Sequence, residues 1–227
     1  MPSLAVNTTV LKTVPFFALF SDDELRTLIP ATQHRYYSRH DFMVRAREQA
    51  STLYVILAGK AKVVIDNGEG REVTVTTIGP NEFFGEMSLI DEKPRSASVQ
   101  ALEPCEVLCI SKSAFMSCFR NHFDAAALML RLVVSRLREA DHKIASLALL
   151  DVHGRVARLL IELAKDVNGV WVVDTGSEEI ARMVGASREM VSRVLKNMIE
   201  QGVIKRDKRK IVVLDRASMQ RETTGKN

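Results

Sequence analysis

At about Lys112 the spacing of apolar residues changes from the short runs of β-strands to the 3.6-residue period of helices. A chain carrying both patterns in two blocks is α+β, with the strands first. From about 34 to 110, β-branched runs alternate with turn residues. Leu53-Tyr54-Val55-Ile56-Leu57 ends at Ala58-Gly59, Ala61-Lys62-Val63-Val64-Ile65 ends at Asp66-Asn67-Gly68, and the run Val73 to Ile78 ends at Gly79-Pro80. Strands of this length and spacing predict a barrel or a double-sheet jelly roll. Ahead of them, residues 8–30 read as short helical pieces. Ser21 and Glu24 have the spacing of a capping box, and Pro30 closes that helix.

The helical period holds from Lys112 to Lys165. Within it Leu130, Leu137 and Ile144 recur every seven residues, with Val133, Ala140 and Leu147 three places later. That is the a/d register of a coiled coil. A helix packed on its own barrel also needs an apolar stripe. The strict a/d set, with Arg136, Arg138, Glu139 and Lys143 around it, favours a seam between two copies and so a homodimer. A second helix is expected from Asp151 to about 165, then a strand at Val170–Val173. A compact helix pair follows, and then a hairpin runs from Val203-Ile204-Lys205-Arg206 through Asp207-Lys208 to Lys210–Leu214. The polar tail from Ser218 to Asn227 reads as frayed. The expected division is residues 1–111, a dimerisation helix at 112–150, and a C-terminal domain at 151–227.

The helix pair has a recognisable arrangement over Ser177 to Lys196. Ala181, the fifth residue, is small where two helices cross. Gly185, the ninth, tolerates the positive φ of a tight turn. Val191, the fifteenth, faces inward with Ile180, Val184 and Leu195, while Ser177 and Ser187 stand where N-caps belong. This is a helix-turn-helix, whose second helix enters the major groove of DNA by its N-terminal end. Arg188, Glu189, Ser192 and Arg193 lie on its exposed face. Arginine donates a bidentate pair to guanine, and a carboxylate accepts from cytosine N4. Glu189 beside a polyanion is repelled unless it reads such a donor, which points to base-specific binding.

Charge agrees in its distribution rather than its total. The chain carries 32 Lys and Arg against 28 Asp and Glu, a net charge of only +4, but the basic residues crowd Arg182 to Lys210. Lys196, Lys205, Arg206, Lys208, Arg209 and Lys210 are expected to meet phosphates from the helix end and a β-hairpin wing. Cys105, Cys109 and Cys118 have no metal-ligand spacing and leave an odd count, which fits a reducing cytoplasm. No signal-peptide pattern opens the chain, and no stretch reaches the roughly 18–20 apolar residues that span a bilayer.

Residues 83–99 read Phe-Phe-Gly-Glu-Met-Ser-Leu-Ile-Asp-Glu-Lys-Pro-Arg-Ser-Ala-Ser-Val. This segment resembles the phosphate-binding cassette of cyclic-nucleotide-binding domains. Residues 10–215 as a whole resemble the cyclic AMP receptor protein (Crp/Fnr) family of bacterial transcription regulators. Leu53-Tyr54-Val55-Ile56, Leu150-Asp151-Val152-His153-Gly154-Arg155 and Gly185-Ala186-Ser187-Arg188-Glu189 carry the likeness further. The resemblance implies a β jelly roll, a long dimerisation helix and a winged helix-turn-helix. It implies a ligand set of Gly85, Glu86, Met87, Ser88, Arg95 and Ser96. In that set Glu86 accepts from the ribose 2′-hydroxyl and Arg95 neutralises the cyclic phosphate, while Gly85 allows close approach and Ser88-Leu89 open a short helix. It also implies a two-fold symmetric DNA site with TGTGA-like half-sites, read by Arg188, Glu189, Ser192 and Arg193 with Ser187 and Lys196, and contact with RNA polymerase.

One departure bears on the ligand. Where the family's cyclic AMP responders place a Thr-Ser pair against the adenine, this chain has Ala140-Asp141. Ala140 has no side-chain hydrogen bond to give. A carboxylate at Asp141 accepts two hydrogen bonds side by side, matching the N1–H and N2–H₂ edge of guanine. The effector is therefore cyclic AMP or a guanine nucleotide such as cyclic di-GMP, and the other reading of Asp141 is a solvated flank paired with Lys143 or Arg138. Iron–sulfur sensing lacks its cysteines, since none precedes Cys105, and His34, His40, His122, His142 and His153 form no haem-binding arrangement. No metal is expected. No nucleophile elbow, His-Glu-x-x-His helix, Walker loop or carboxylate paired with Glu86 suggests an enzyme. The remaining alternative is a cyclic-nucleotide-binding module acting on a protein partner, and the helix-turn-helix argues against it.

Overall fold

A computed structural model describes residues 7–66, 68, 72–117, 122–207 and 210–223. Asn67, Cys118, Lys208, Arg209, residues 1–6 and residues 224–227, on which some of the expectations above fall, lie outside the described residues. Two compact units are present, residues 1–135 and 136–227, and the boundary falls within the longest helix.

The first unit opens with helices α1 (Thr8–Lys12) and α2 (Asp22–Leu28). Ser21 caps α2 with the expected box: its N–H donates to Glu24 Oε2 at 2.9 Å, and its Oγ accepts from the Glu24 N–H at 3.4 Å. Strands follow as β1 (Thr32–Tyr37), β2 (Phe42–Val44), β3 (Thr52–Ala58), β4 (Ala61–Asp66), β5 (Glu72–Ile78) and β6 (Phe83–Phe84). Then come helix α3 (Glu86–Ile90), β7 (Ser98–Ala101), β8 (Cys105–Ser111), α4 (Lys112–Ser117) and α5 (Phe123–Leu149), which continues into the second unit. The strands form two four-stranded sheets, ordered β1-β8-β3-β6 and β2-β7-β4-β5, with antiparallel pairs throughout.

Strand alternation explains how β3 serves two cores. Tyr54 and Ile56 point between the sheets and meet Ala61, Ile78, Val99 and Val107. Leu53 and Val55 point the other way, to a core with Phe16, Phe17, Leu25, Phe115, Ala125 and Met129 from the helices. Both faces of β3 are covered, so its sequence is a continuous apolar run rather than an alternating one.

The second unit contains α6 (Val152–Leu163), β9 (Lys165–Val167), β10 (Val170–Val173), α7 (Ser177–Val184) and α8 (Arg188–Glu200). It ends with β11 (Ile204–Asp207), β12 (Lys210–Val213) and α9 (Arg216–Glu222). Asp151 starts α6 as expected, accepting from the Gly154 N–H at 2.8 Å. The sheet order is β11-β12-β10-β9. Its core gathers Val156, Leu160, Ile180, Val191, Leu195, Met198, Ile211 and Met219.

Four local expectations are corrected. The helical stretch ends at Leu163, and Lys165 enters β9. Asn168 and Gly169, with φ of +55° and +80°, turn the chain back so that Val167 pairs with Val170. The tail is not frayed from Ser218, because Asp215 caps α9 by accepting from the Ser218 N–H at 2.9 Å and Met219 is fully buried. Ser177 is not an N-cap: Gly176 holds that place without a side-chain bond, and Ser177 is the first helical residue. Helix α3 opens at Glu86 rather than Ser88, because Gly85 takes a left-handed φ of +88° as its N-cap.

Candidate functional site

Strand β6 delivers the chain to Gly85, whose positive φ turns it directly into α3. The same glycine makes room for Arg95. A Cβ at position 85 would lie 2.4 Å from Arg95 Nη1 and 3.3 Å from the Thr52 carbonyl, so a side chain there would displace the arginine. Arg95 is 6% exposed, and Glu86, at the start of α3, is 2% exposed. The guanidinium donates through Nη1 to the Gly85 carbonyl at 2.7 Å and through Nη2 to the Thr52 carbonyl at 2.5 Å. It lies 5.6 Å from the centre of the Tyr54 ring, which stacks on Phe84 with centroids 4.9 Å apart.

Backbone bonds fix the arginine's own position. Arg95 N–H donates to the Glu48 carbonyl at 2.9 Å, and the Arg47 N–H donates to the Arg95 carbonyl at 2.8 Å. Ser98 Oγ accepts from the Ala46 N–H at 2.9 Å. Burial pushes the Arg95 guanidinium below its ordinary pKa, and Tyr54, Glu86 and Glu48 pull it back up. An arginine remains charged under any such shift. A cation and a carboxylate, both nearly removed from water, are costly to keep unless they serve recognition. The donor fork beside an acceptor suits a ligand with an anionic phosphate and a hydroxyl.

The cassette residues divide by exposure. Glu86, Ser88 and Arg95 are buried, Gly85 is half-buried, and Met87 and Ser96 are exposed. The structure joins Gly85 and Arg95 directly. Ala140 and Asp141 belong to the second unit, where both are exposed on α5. The buried thiol of Cys109 is pushed up to about 11 by desolvation, so it stays protonated at neutral pH. Among the described residues no group of three or more His, Cys, Asp or Glu side chains is placed to hold a metal ion.

Helix α5 changes character along its length. Ala125 and Met129 are buried in the first unit's core, whereas Leu130, Leu137 and Ile144 are 70%, 59% and 64% exposed. Val133, Ala140 and Leu147 are exposed as well, which leaves the whole a/d stripe uncovered within one chain. No described helix is long and apolar enough to cross a membrane.

In the helix-turn-helix, Ala181 and Val191 are buried and Gly185 adopts a φ of +64°. The Ala186 N–H reaches back to the Ala181 carbonyl at 3.1 Å. Ser187 caps α8, accepting from the Met190 N–H at 3.2 Å. Arg188, Glu189, Ser192, Arg193 and Lys196 are all exposed, as are Lys205, Arg206 and Lys210 on the wing. Hydrogen bonds from its own backbone N–H and from Ser187 hold the Glu189 carboxyl below its usual pKa, so it is ionised at neutral pH. Sequence reasoning passed over Met190, an exposed apolar side chain among these polar ones.

Comparison with known proteins agrees with this geometry. The cyclic nucleotide-binding domain family matches residues 34–122, and the Crp-like helix-turn-helix domain family matches residues 154–222. The chain is 34% identical over 189 residues to the cAMP-activated global transcriptional regulator Vfr of Pseudomonas aeruginosa, covering 79% of this chain and 88% of that protein. It is 32% identical over 195 residues to the cyclic AMP receptor protein of Thermus thermophilus, covering 86% and 90%. Among solved structures, the c-di-GMP responsive global regulator CLP of Xanthomonas campestris superposes with a TM-score of 0.74 at 26% identity, covering 86% of this chain and all of that one. A cyclic nucleotide-binding β roll, a long helix and a Crp-like helix-turn-helix thus stand in one chain, and this chain belongs to the Crp/Fnr family of DNA-binding transcription regulators.

Proposed function

We propose that this protein is a cytoplasmic homodimer that binds a cyclic nucleotide in its β roll and thereby changes its affinity for a two-fold symmetric DNA site. The observation that carries this reading is the buried Arg95 guanidinium, held against Gly85 with the Glu86 carboxylate nearby. Arg95 takes the phosphate and Glu86 a ribose hydroxyl. Gly85 and Ser88 shape the approach, and Met87 and Ser96 border it. The exposed stripe of Leu130, Val133, Leu137, Ala140, Ile144 and Leu147 closes on the same stripe of a second copy. Arg188, Glu189, Ser192 and Arg193 read bases, Lys196 meets a phosphate, and Ser187 stands beside them at the start of α8. Half-sites about 34 Å apart match a dimer on one face of DNA. Nucleotide acts as a population shift between dimer states of unequal DNA affinity, and RNA polymerase is the partner at the promoter.

A guanine nucleotide is the effector that the chemistry of Ala140-Asp141 favours, since the Asp141 carboxylate matches guanine's N1–H and N2–H₂ edge and Ala140 offers adenine no side-chain hydrogen bond. The likeness to a c-di-GMP responsive regulator supports this choice. Isothermal titration with cyclic AMP, cyclic GMP and cyclic di-GMP tests it. A guanine nucleotide is expected to bind, and Asp141→Ala is expected to weaken it about 10-fold or more, the effect of losing a charge-assisted hydrogen-bond pair. Tight cyclic AMP binding with no guanine-nucleotide binding would overturn the guanine assignment and leave the family reading intact.

A further inference from the structure

Met190 is the exposed side chain near the start of α8 to which the base-reading assignment gives no role. It is the third residue of the helix, and 45% of it is exposed. The apolar anchors of this helix are Val191, Leu195 and Met198, all buried, so Met190 is not held there by the core. The Met190 backbone N–H is engaged by Ser187 Oγ, which fixes where the side chain leaves the helix whatever residue stands at 190. At 3.6 residues per turn, Met190 and Arg188 flank Glu189 on opposite sides, and Met190 neighbours Arg193 one turn on.

A thioether offers no donor to a phosphate oxygen, so this position contributes nothing to backbone contact of the ordinary kind. The apolar group that base edges present in the major groove is the C5 methyl of thymine. Methionine is flexible and polarisable, and it fits such a contact without a fixed hydrogen-bond geometry. We propose that Met190 is a specificity-determining residue that packs on a thymine methyl in each half-site, beside the base pair read by Arg193. The proposal rests on the reading that α8 enters the major groove.

Replacing thymine by deoxyuridine removes the methyl and leaves base pairing untouched. Fluorescence anisotropy would follow binding to a symmetric TGTGA duplex, in saturating cyclic AMP and separately in saturating cyclic di-GMP. Each thymine of either strand is replaced in turn, symmetrically in both half-sites. At one position the wild-type protein is expected to lose about 4-fold in affinity per half-site, the effect of one buried methyl. Met190→Ala should be indifferent at that position, and Met190→Leu should behave as wild type. A scan in which no thymine distinguishes wild type from Met190→Ala would overturn the proposal. If wild type does not prefer the symmetric duplex over a scrambled one, the base-reading assignment of α8 fails first, before any uracil is introduced.

Discussion

An Arg95→Ala protein is expected to lose cyclic-nucleotide binding by about 100-fold or more while remaining folded. Truncating one partner of a buried, hydrogen-bonded charge pair costs about 2–5 kcal/mol in binding, and a phosphate in the β roll would leave such a pair incomplete. The same change removes the donors to the Gly85 and Thr52 carbonyls, which sit 2.7 and 2.5 Å from the guanidinium. Thermal stability should therefore fall by about 1–3 kcal/mol, a loss the two cores of the first unit can absorb. Arg95→Lys separates the two effects. It keeps the charge but not the planar fork, so it should recover part of the affinity and little of the carbonyl bonding. Calorimetric titration and a melting curve on each protein check this, and Arg95→Ala binding nucleotide as wild type does would remove Arg95 from the site.

The second large effect is expected at the seam. Leu137 is 59% exposed in the single chain, so Leu137→Asp removes little from the fold of one protomer. In a dimer the substitution occurs twice, places two carboxylates against each other, and forfeits about 1.5–3 kcal/mol of apolar burial for each leucine. Sedimentation should show monomer at concentrations where wild type is dimer. Affinity for the symmetric duplex should fall about 100-fold or more, because one protomer then meets one half-site and loses the effective concentration that tethering provides. A Leu137→Asp protein that still sediments as a dimer would place the interface elsewhere.

The helix-turn-helix was readable because its constraints are local and leave few residue choices. Ala181 is buried at a helix crossing, Gly185 needs a φ of +64°, and Ser187 caps its own third neighbour. The capping box of Ser21 and Glu24 was legible for the same reason. The strand runs 53–57, 61–65 and 73–78 each lie within an observed strand, because β-branched runs between turn residues admit few alternatives. The β9–β10 hairpin also had a signal, the Asn168-Gly169 pair, which favours two consecutive positive φ values. A short edge strand of Lys165, Asp166 and Val167 carries no alternation to reinforce that signal, and the helical period of the preceding residues runs up to its first residue. Helix α9 was concealed in a polar sequence anchored by the buried Met219.

The setting of Arg95 was not legible at all. Its two carbonyl partners belong to Gly85, 10 residues away, and Thr52, 43 residues away, and no side-chain identity at position 52 encodes a backbone acceptor. The resemblance named the arginine, and only the fold shows what holds it. Met87 and Ser96 illustrate the converse, since the family resemblance groups them with Arg95 while local geometry leaves both exposed.

The most direct test of the central claim, that nucleotide in the β roll governs DNA binding, is the affinity of the protein for a symmetric TGTGA duplex with and without cyclic AMP or cyclic di-GMP. Coupling between two sites in one protein typically amounts to about 5- to 150-fold. One of these nucleotides is expected to change the wild-type affinity by about that factor and to leave Arg95→Ala unchanged. Equal DNA affinity in the presence and absence of a nucleotide that calorimetry shows to be bound would contradict the account.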